Sequence, residues 1–521
     1  MVLKFRFLLS LFVLHSLASA QTGIDVQHYR FEIQLSDNTD AITGKASITV
    51  RFTEDASQVH FDLSSFDTKN GMVVFNVNEN NETFKTTHNN DLLSIYLNRP
   101  VKTGEVHTYE IEYMGTPDDG LIISKNKFGD RTFFSDNWPN RAHNWIPCHD
   151  VPWDKASVEF IVTAPIQYKV MGNGLKVSEQ ITGDAKRTHW KEDIPIPTKI
   201  MVIGAADFAV KTYTSDPIPV SAWVYPRDSA AGFFDYAIAP EIVQFFSSYI
   251  APFPFEKLAN VQSTTVFGGM ENASAIFYAE ESVTGKRTSE PTVVHEIAHQ
   301  WFGDMASEKT FAHLWLSEGF ATYLTDIYFE QKYGKDQMLN RLAKERTAVI
   351  EFIKNKNQPV IDSTGDLMSL LNANSYQKGS WVLHMLRNEV GDSVFRKILQ
   401  GYYHRYKGSN ADTRDFQAVA EAVSGKDLSR FFNQWLFMPG IPQLRFEWKE
   451  DGNEIKGKLI QVADHLYAFP LEIAISTADG KVTMQRLTVN AKQTEFKIDL
   501  PAKPVKIELD PNVSLLFEQV K

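Results

Sequence analysis

The stretch PTVVHEIAHQWFGDM, residues 291–305, carries the pattern around which the rest of the sequence is organised. Its first part has the apolar spacing of a helix. His295 and His299 lie four residues apart, so on a helix both imidazoles share one face and can bind one metal ion. Glu296 lies beside them and can act as a base on a water molecule at such a site. The stretch therefore predicts a helix with the metal centre of a hydrolase.

A third metal ligand is predicted from the segment LWLSEGFATYL, residues 314–324, which has the pattern of a second helix. Eighteen residues separate the second histidine from Glu318. Its neighbours Leu316 and Phe320 form an apolar setting in which an unpaired carboxylate would be costly. Catalytic zinc takes three protein ligands and leaves one position for water. Two histidines and one glutamate therefore predict one Zn²⁺ per chain.

Two further segments are candidates for substrate contacts. Just before the zinc helix lies a loop made of Gly268, Gly269, Met270, Glu271 and Asn272. Glycines let a backbone run close to an extended substrate, and Glu271 offers a fixed carboxylate. Further on, Tyr376 stands where another helical pattern begins. Each segment also has an ordinary structural interpretation: the glycines could simply form a loop, and Tyr376 could simply pack in the core. Considered by itself, Tyr376 is better explained as a packing residue.

Together these features resemble the aminopeptidase N family of zinc metallopeptidases, which are gluzincins. The family pattern is a Gly-x-Met-Glu-Asn loop, an HExxH helix, a glutamate ligand after eighteen intervening residues and a Tyr-x-Lys-Gly helix start. All four occur here in that order. The segments APFPFEKLANVQ, HQWFGD and IELDPNVSLLF also look like family segments. The resemblance thus covers nearly all of the chain after residue 20.

Strand and helix patterns divide the chain into three parts. Period-two alternation in HYRFEIQL, KASITVRF and HTYEIEYM predicts a large sheet within residues 21–208. Helical patterns dominate residues 209–439, and hairpin patterns return in residues 440–521, where a small β-sandwich is expected. The resemblance implies the same multidomain α+β fold, with a thermolysin-like, mainly helical catalytic domain in the middle. The helical C-terminal domain of many relatives is not expected.

The resemblance also implies the activity and the residue roles. Substrates would be peptides with a free N-terminus, cleaved at the first peptide bond. Glu296 would take and return the proton, Tyr376 would stabilise the oxyanion, and Glu271 would bind the α-ammonium group. One segment departs from the family. Where many relatives have Gln and, two residues on, Glu or Gln, this chain has Asp136 and Trp138. Asp136 could replace the lost carboxylate, or Trp138 could be a lid or packing residue.

Net charge, the N-terminal sequence and the cysteine count limit which partners and which cellular compartment fit this chain. The net charge of −11 gives no electrostatic reason to bind nucleic acid or anionic lipid. A basic start, a short apolar run and a small-x-small end predict that residues 1–20 are a signal peptide, cleaved near Ala20. No later stretch is long and apolar enough to span a membrane, so we expect an exported, soluble protein, periplasmic or secreted. Cys148 is the single cysteine and is expected to be a buried thiol.

Three functions are consistent with these residues. The first is an aminopeptidase. The second is a zinc hydrolase of another bond, either an endopeptidase or an epoxide hydrolase, and Glu271 argues against it. The third is a binding protein that keeps an inactive zinc site. Glu296 argues against the third, because a structural zinc site needs no base. The oligomeric state is not readable from the sequence.

Overall fold

The computed structural model describes residues 23–66, 69–363 and 365–521. The signal peptide expected at residues 1–20 lies outside these ranges. Among the described helices, none combines the length and the apolar character that a membrane crossing needs.

The first part of the chain is a layered arrangement of strands. These are β1 Ile24–Gln34, β2 Ile42–Phe52, β3 Ala56–Asp62, β4 Gly71–Glu79, β5 Glu82–Thr83, β6 Lys85–Asn89, β7 Leu92–Val101, β8 Val106–Thr116, β9 Leu121–Lys125, β10 Arg131–Ser135, β11 Ala156–Pro165, β12 Lys169–Gly172, β13 Leu175–Thr182, β14 Ala185–Ile196 and β15 Ile203–Ala206. The largest sheet has the order β13-β14-β11-β1-β2-β8-β4-β5. Two smaller sheets have the orders β3-β7-β6 and β12-β15-β10-β9. The three alternating segments of the sequence fall in β1, β2 and β8, which are neighbours in the largest sheet. Cys148 is a buried free thiol in the same apolar core as these strands.

A five-stranded sheet opens the second part of the chain. Its strands are β16 Ala209–Thr214, β17 Val220–Val224, β18 Leu258–Ser263, β19 Gly269–Met270 and β20 Ala275–Ala279, in the order β16-β17-β18-β20-β19. The short edge strand β19 belongs to the glycine-containing loop that precedes the zinc helix. Helical patterns dominate the sequence of this region, and no strand is predicted in it. The sequence does not predict this sheet, because its strand β18 is buried at every position and so shows no alternation of apolar and polar residues.

Helices make up the rest of the second part. They are α1 Ser229–Asp235, α2 Ala239–Tyr249, α3 Glu290–His299, α4 Trp315–Tyr333, α5 Lys335–Asn355, α6 Gly379–Val390, α7 Asp392–Tyr406, α8 Thr413–Ser424 and α9 Ser429–Phe432. A π-helical turn, Asn374–Lys378, leads into α6, and two short strands, β21 Ala306–Glu308 and β22 Ser409–Ala411, pair in parallel. Helix α4 is buried at every position from Trp315 to Tyr328. It is therefore the central helix of this part, and it carries Glu318.

The last part of the chain is a two-sheet sandwich. Its strands are β23 Gln443–Asp451, β24 Glu454–Gln461, β25 Phe469–Thr477, β26 Val482–Val489, β27 Gln493–Asp499, β28 Pro504–Leu509 and β29 Glu518–Val520. One sheet has the order β27-β24-β23-β29 and the other β26-β25-β28. Buried residues of the sandwich share a continuous apolar core with the helices. Arg346 of α5 also pairs with the buried carboxylate of Asp510. The predicted multidomain α+β fold class, with strands, helices and then strands, is confirmed.

Candidate active site

The three predicted metal ligands meet at one point. Their Nε2 and carboxylate atoms lie within 4.8 Å of one another. The Nε2 atoms of His295 and His299 are 3.0 Å apart, and Glu318 Oε2 lies 3.3 Å from each. At metal–ligand distances of about 2.0–2.1 Å, neighbouring ligands of a tetrahedral ion are about 3.3–3.4 Å apart. The triangle therefore fits a zinc ion with a fourth position left for water or substrate.

The turn after α3 fixes the orientation of the second histidine. His299 Nδ1 lies 3.1 Å from the carbonyl oxygen of Phe302 and 3.2 Å from Ser317 Oγ. These contacts place the ring proton on Nδ1 and leave Nε2 free for the metal. Gly303 has a φ of +120°, and a Cβ there would lie 2.4 Å from Ser317 Oγ and 2.9 Å from His299 Nδ1. Only glycine leaves room for this arrangement. In the sequence, this arrangement is indicated only by the position of Gly303 within the segment HQWFGD, which looks like a family segment.

The electrostatics of the site favour a bound cation. Glu271, Glu296 and Glu318 are each 5% exposed or less. Burial disfavours the charged form of Glu318, but the two imidazoles outweigh burial and hold its pKa well below the usual range. Burial also disfavours charge on His299, yet Glu318 and Glu271 raise its pKa to about 10. Burial raises the pKa of both Glu271 and Glu296, which favours their neutral forms, and a divalent cation beside them would favour the charged forms.

The predicted base lies against the glycine-containing loop. Glu271, Glu296 and His299 present side-chain atoms within 4.8 Å of one another. A Cβ at Gly269 would lie 2.4 Å from Glu296 Oε1, whereas a Cβ at Gly268 would meet nothing within 4 Å. Burial raises the pKa of Glu296 well above its usual range, although the nearby His299 opposes this. Proximity to the metal triangle and a raised pKa, which makes the carboxylate a stronger base, are properties that suit a proton carrier.

Gln300, which the sequence did not single out, ties the loop to the zinc helix. Its Nε2 donates to the carbonyl oxygen of Glu271 at 2.8 Å and to Asp304 Oδ2 at 2.7 Å. Its Oε1 accepts from the Ser274 backbone N–H at 2.9 Å. These bonds fix the Glu271 backbone relative to α3. The sequence indicates this role only through the amide side chain of Gln300, which directly follows His299 at a position where an apolar residue would suffice for packing.

Tyr376 is brought to the metal triangle by the π-helical turn before α6. Its ring stacks on His295 with centroids 6.0 Å apart and planes 13° apart. Helices α4 and α6 touch through their glycines, since a Cβ at Gly319 would lie 2.8 Å from Gly379 Cα. Burial, and then the nearby Glu318, raise the pKa of Tyr376 well above its usual range. The phenol therefore keeps its proton and can donate it in a hydrogen bond.

Asp136, in contrast, is not brought into the cavity. Its carboxylate is fully buried and accepts from Arg141 Nη2 at 2.7 Å, from Thr265 Oγ1 at 2.9 Å and from the Val266 backbone N–H at 3.1 Å. All its bonds are thus internal, which argues against the expected contact with substrate. Trp138 does line the cavity, so the structure favours the alternative in which this residue packs at the wall.

One cavity of about 520 Å³ contains the metal triangle. Gly268, Gly269, Met270 and Glu271 line it, together with Glu296 and Tyr376. Asn272, the last residue of the loop, is fully buried behind it, and its side-chain amide has no hydrogen-bond partner among the described residues. Trp138, Phe267 and Leu371 form an apolar wall, while Thr322 and Thr325 extend the lining along α4. The cavity is large enough for a few residues of peptide.

Comparisons with known proteins place these features in one family. A family model described as the peptidase family M1 domain matches residues 234–435, and one described as the peptidase M1 N-terminal domain matches residues 25–200. A probable aminopeptidase 1 of Sulfurisphaera tokodaii is 25% identical over 505 residues, which are 92% of this chain and 62% of that protein. Aminopeptidase M1-A of Oryza sativa is 24% identical over 457 residues, 82% of this chain and 52% of that protein.

Human glutamyl aminopeptidase is 27% identical over 329 residues, 60% of this chain and 34% of that protein. The chain thus matches between about a third and two thirds of the length of these relatives. The crystal structure of an M1 zinc metallopeptidase from Deinococcus radiodurans superposes with a TM-score of 0.68 at 22% identity. It covers 80% of this chain and 94% of that one. At this identity the superposition supports the fold alone.

Proposed function

Because this chain belongs to peptidase family M1, we propose that it is a zinc-dependent aminopeptidase that hydrolyses the N-terminal peptide bond of peptides. One observation carries the proposal. The triangle of His295, His299 and Glu318 has the size of a zinc site, and Glu296, Glu271 and Tyr376 line the cavity that contains it. A metal site, a base, an anion and a phenol are thus placed around one small volume.

Zinc, when bound to this triangle, supplies a Lewis acid that lowers the pKa of water and polarises a carbonyl. Glu296 takes a proton from the attacking water and later returns it to the leaving amine. Burial raises its pKa, which makes the carboxylate a stronger base for the first step. The contact with Gly269 restricts the positions that the carboxylate can adopt. Glu296 is therefore the proton carrier of the reaction.

Tyr376 donates a hydrogen bond to the carbonyl oxygen as negative charge develops there. The phenol is held by the π-helical turn and by its stacking on His295, so it need not reorganise during the reaction. Such a donor, aimed at a developing oxyanion, stabilises the transition state more than the bound substrate. Tyr376 therefore contributes mainly to turnover.

Glu271 binds the α-ammonium group of the substrate. The residue is 5% exposed, and its carboxylate lies within 4.8 Å of side-chain atoms of Glu296 and His299. A free amino terminus would form an ion pair there, and a blocked one would leave the buried carboxylate unpaired. The neighbouring wall of Trp138 and Phe267 is apolar, so an apolar first side chain is expected to be preferred.

Aminoacyl-arylamides test the proposal directly. The zinc-loaded protein is incubated with Leu-p-nitroanilide and its N-acetyl form, with and without a zinc chelator. We expect chelator-sensitive release from the free amine only. The Glu271→Ala variant should lose this discrimination, and Glu281→Ala, a change of a carboxylate outside the cavity, is the matched control. Equal release from both substrates would instead indicate an endopeptidase or a broader hydrolase, and no release would refute the proposal.

We further propose that the protein is exported after cleavage near Ala20. The support is the sequence of residues 1–20 alone, with its basic start, apolar run and small-x-small end. N-terminal sequencing of the protein recovered from the medium or the periplasm should begin at Gln21. An intact Met1 in the purified protein would contradict this proposal without affecting the activity.

A further inference from the structure

Gln300 is a fully buried residue whose side-chain nitrogen and oxygen are both engaged in hydrogen bonds. Its Nε2 donates to the Glu271 carbonyl oxygen and to Asp304 Oδ2, and its Oε1 accepts from the Ser274 backbone N–H. Turning the amide over would bring Oε1 against two acceptors and Nε2 against a donor. The amide therefore has one stable orientation, and it links three segments of the chain around the zinc helix.

The Asp304 end of this link is anchored to the turn after the zinc helix. The Asp304 backbone N–H donates to the carbonyl oxygen of His299 at 3.1 Å. The Asp304 carbonyl oxygen accepts from Ser307 Oγ at 2.9 Å and from Lys155 Nζ at 3.0 Å. Because these contacts fix Asp304, its carboxyl group gives the Gln300 amide a fixed partner in the turn that orients His299.

The other end of the link is a turn formed by residues 271–274. Ser274 has a φ of +61°, which residues other than glycine rarely adopt. Such a conformation persists where surrounding contacts over-determine it. The Ser274 Oγ accepts from the Gly174 N–H at 2.8 Å, and the Ser274 carbonyl oxygen accepts from Lys257 Nζ at 2.9 Å. The bond from the Ser274 N–H to Gln300 joins this turn to the zinc helix.

Neighbouring parts of the glycine-containing loop are held in different ways. Gly269 and Met270 form β19 and pair with β20, so the sheet holds the segment that lies against Glu296. Glu271 follows β19 directly, and Gln300 holds its carbonyl oxygen. Among the residues given a role in the reaction above, Glu271 is the one to which the Gln300 side chain hydrogen-bonds. Loss of this amide should therefore disturb amine recognition and leave the chemical step largely intact.

We propose that Gln300 is a positioning residue for amine recognition. By holding the Glu271 backbone, it places the Glu271 carboxylate for the α-ammonium group and so sets the selection of free amino termini. This inference rests on the proposed aminopeptidase function. Its effect belongs to substrate binding, because the carboxylate meets the ammonium group in the bound substrate as well as in the transition state.

Two hydroxamates that differ only in the α-amino group isolate this effect. L-Leucine hydroxamate and 4-methylpentanohydroxamate chelate zinc through the same group, but only the first offers an ammonium group to Glu271. Calorimetry on the zinc-loaded protein gives both dissociation constants. The wild type should bind the amine form about 10–100-fold more tightly, the range of a hydrogen bond to a charged group. In Gln300→Met this ratio should fall about five- to tenfold, with the affinity for the amine-free form kept within about twofold.

A double variant decides whether Gln300 acts through Glu271. In a Glu271→Gln background the ion pair is already absent, so Gln300→Met should not lower the ratio further. Gln417→Met is the matched control, because it removes another buried, hydrogen-bonded amide outside the cavity, and it should keep the wild-type ratio. With Leu-p-nitroanilide as substrate, Gln300→Met should raise KM by more than it lowers kcat.

Three results would overturn the inference: an unchanged ratio in Gln300→Met, an equal loss of affinity for both hydroxamates, or a further fall in the double variant. If Gln300→Met does not fold, Gln300→Glu is measured instead. It keeps an oxygen acceptor for the Ser274 N–H but lacks the Nε2 donor, and the same fall is expected. An unchanged ratio beside normal cleavage of the arylamide by the wild type refutes only this inference. A wild-type ratio near one, or no cleavage, contradicts the proposed function itself.

Discussion

Replacing Gly303 by alanine should weaken zinc binding through the second histidine. The new Cβ would lie 2.9 Å from His299 Nδ1 and 2.4 Å from Ser317 Oγ. Ordinary contacts begin near 3.4 Å, so the ring must shift by about 0.5 Å and the hydroxyl by about 1 Å. That shift breaks the contact that holds the ring, and such losses typically lower metal affinity by about 10–100-fold. The backbone at φ +120° adds about 1–3 kcal/mol of strain to the folded state.

Zinc affinity is measured by competition with a chelator of known strength, and stability by urea unfolding of the zinc-free protein. Gly425→Ala is the control, because Gly425 has a φ of +68° and a Cβ there meets nothing within 4 Å. It should lose about 1–2 kcal/mol of stability and keep its zinc affinity. Ser317→Ala removes only the hydroxyl, so its zinc affinity should lie between those of Gly303→Ala and Gly425→Ala. Wild-type zinc affinity in Gly303→Ala, or an equal loss in Gly425→Ala, would refute the reasoning.

Three further outcomes are expected. Glu296→Gln should keep its zinc, by metal analysis, and lose about 10²–10⁴-fold in kcat, and a rate near the wild type would rule out Glu296 as the proton carrier. Tyr376→Phe should lower kcat by about 10²–10³-fold with a smaller change in KM, and a change in KM alone would contradict the oxyanion role. Burial lowers the pKa of Lys378 to about 7, below its unfolded value of about 10.5, so the folded chain binds fewer protons between these values and its stability rises with pH there. Lys378→Met should flatten part of that rise in unfolding measurements, and an unchanged slope would argue against the buried, neutral lysine.

The parts of the structure that depend on local periodicity could be predicted from the sequence. His295 and His299 share a helix face because of the 3.6-residue period, whatever surrounds the helix. The alternating segments of the large sheet are half-buried, so the two faces of each strand carry different residues. β18 has neither property, since all its side chains are buried, and the sequence patterns therefore do not predict it.

The residues that support the site could not be predicted, because their partners are distant in sequence or belong to the backbone. Gln300 acts on carbonyl and amide groups of the preceding loop, which no side-chain pattern reveals. Asp136 binds a segment about 130 residues away. A carboxylate two residues before a tryptophan is equally compatible with substrate binding and with such an internal role, and only the fold decides between them.

These distant contacts show that the active site is assembled from more than one part of the chain. Asp136 holds Thr265 and Val266, just before the glycine-containing loop. Lys155, also from the first part of the chain, donates to the carbonyl oxygens of Asp304 and Met305 at 3.0 and 2.9 Å, in the turn that orients His299. Helices α3 and α4 supply the proposed zinc ligands, but residues next to the N-terminal strands hold the segment before the glycine-containing loop and the turn that orients His299. The geometry of the site therefore depends on the docking of the two parts as much as on the helix that carries the metal ligands.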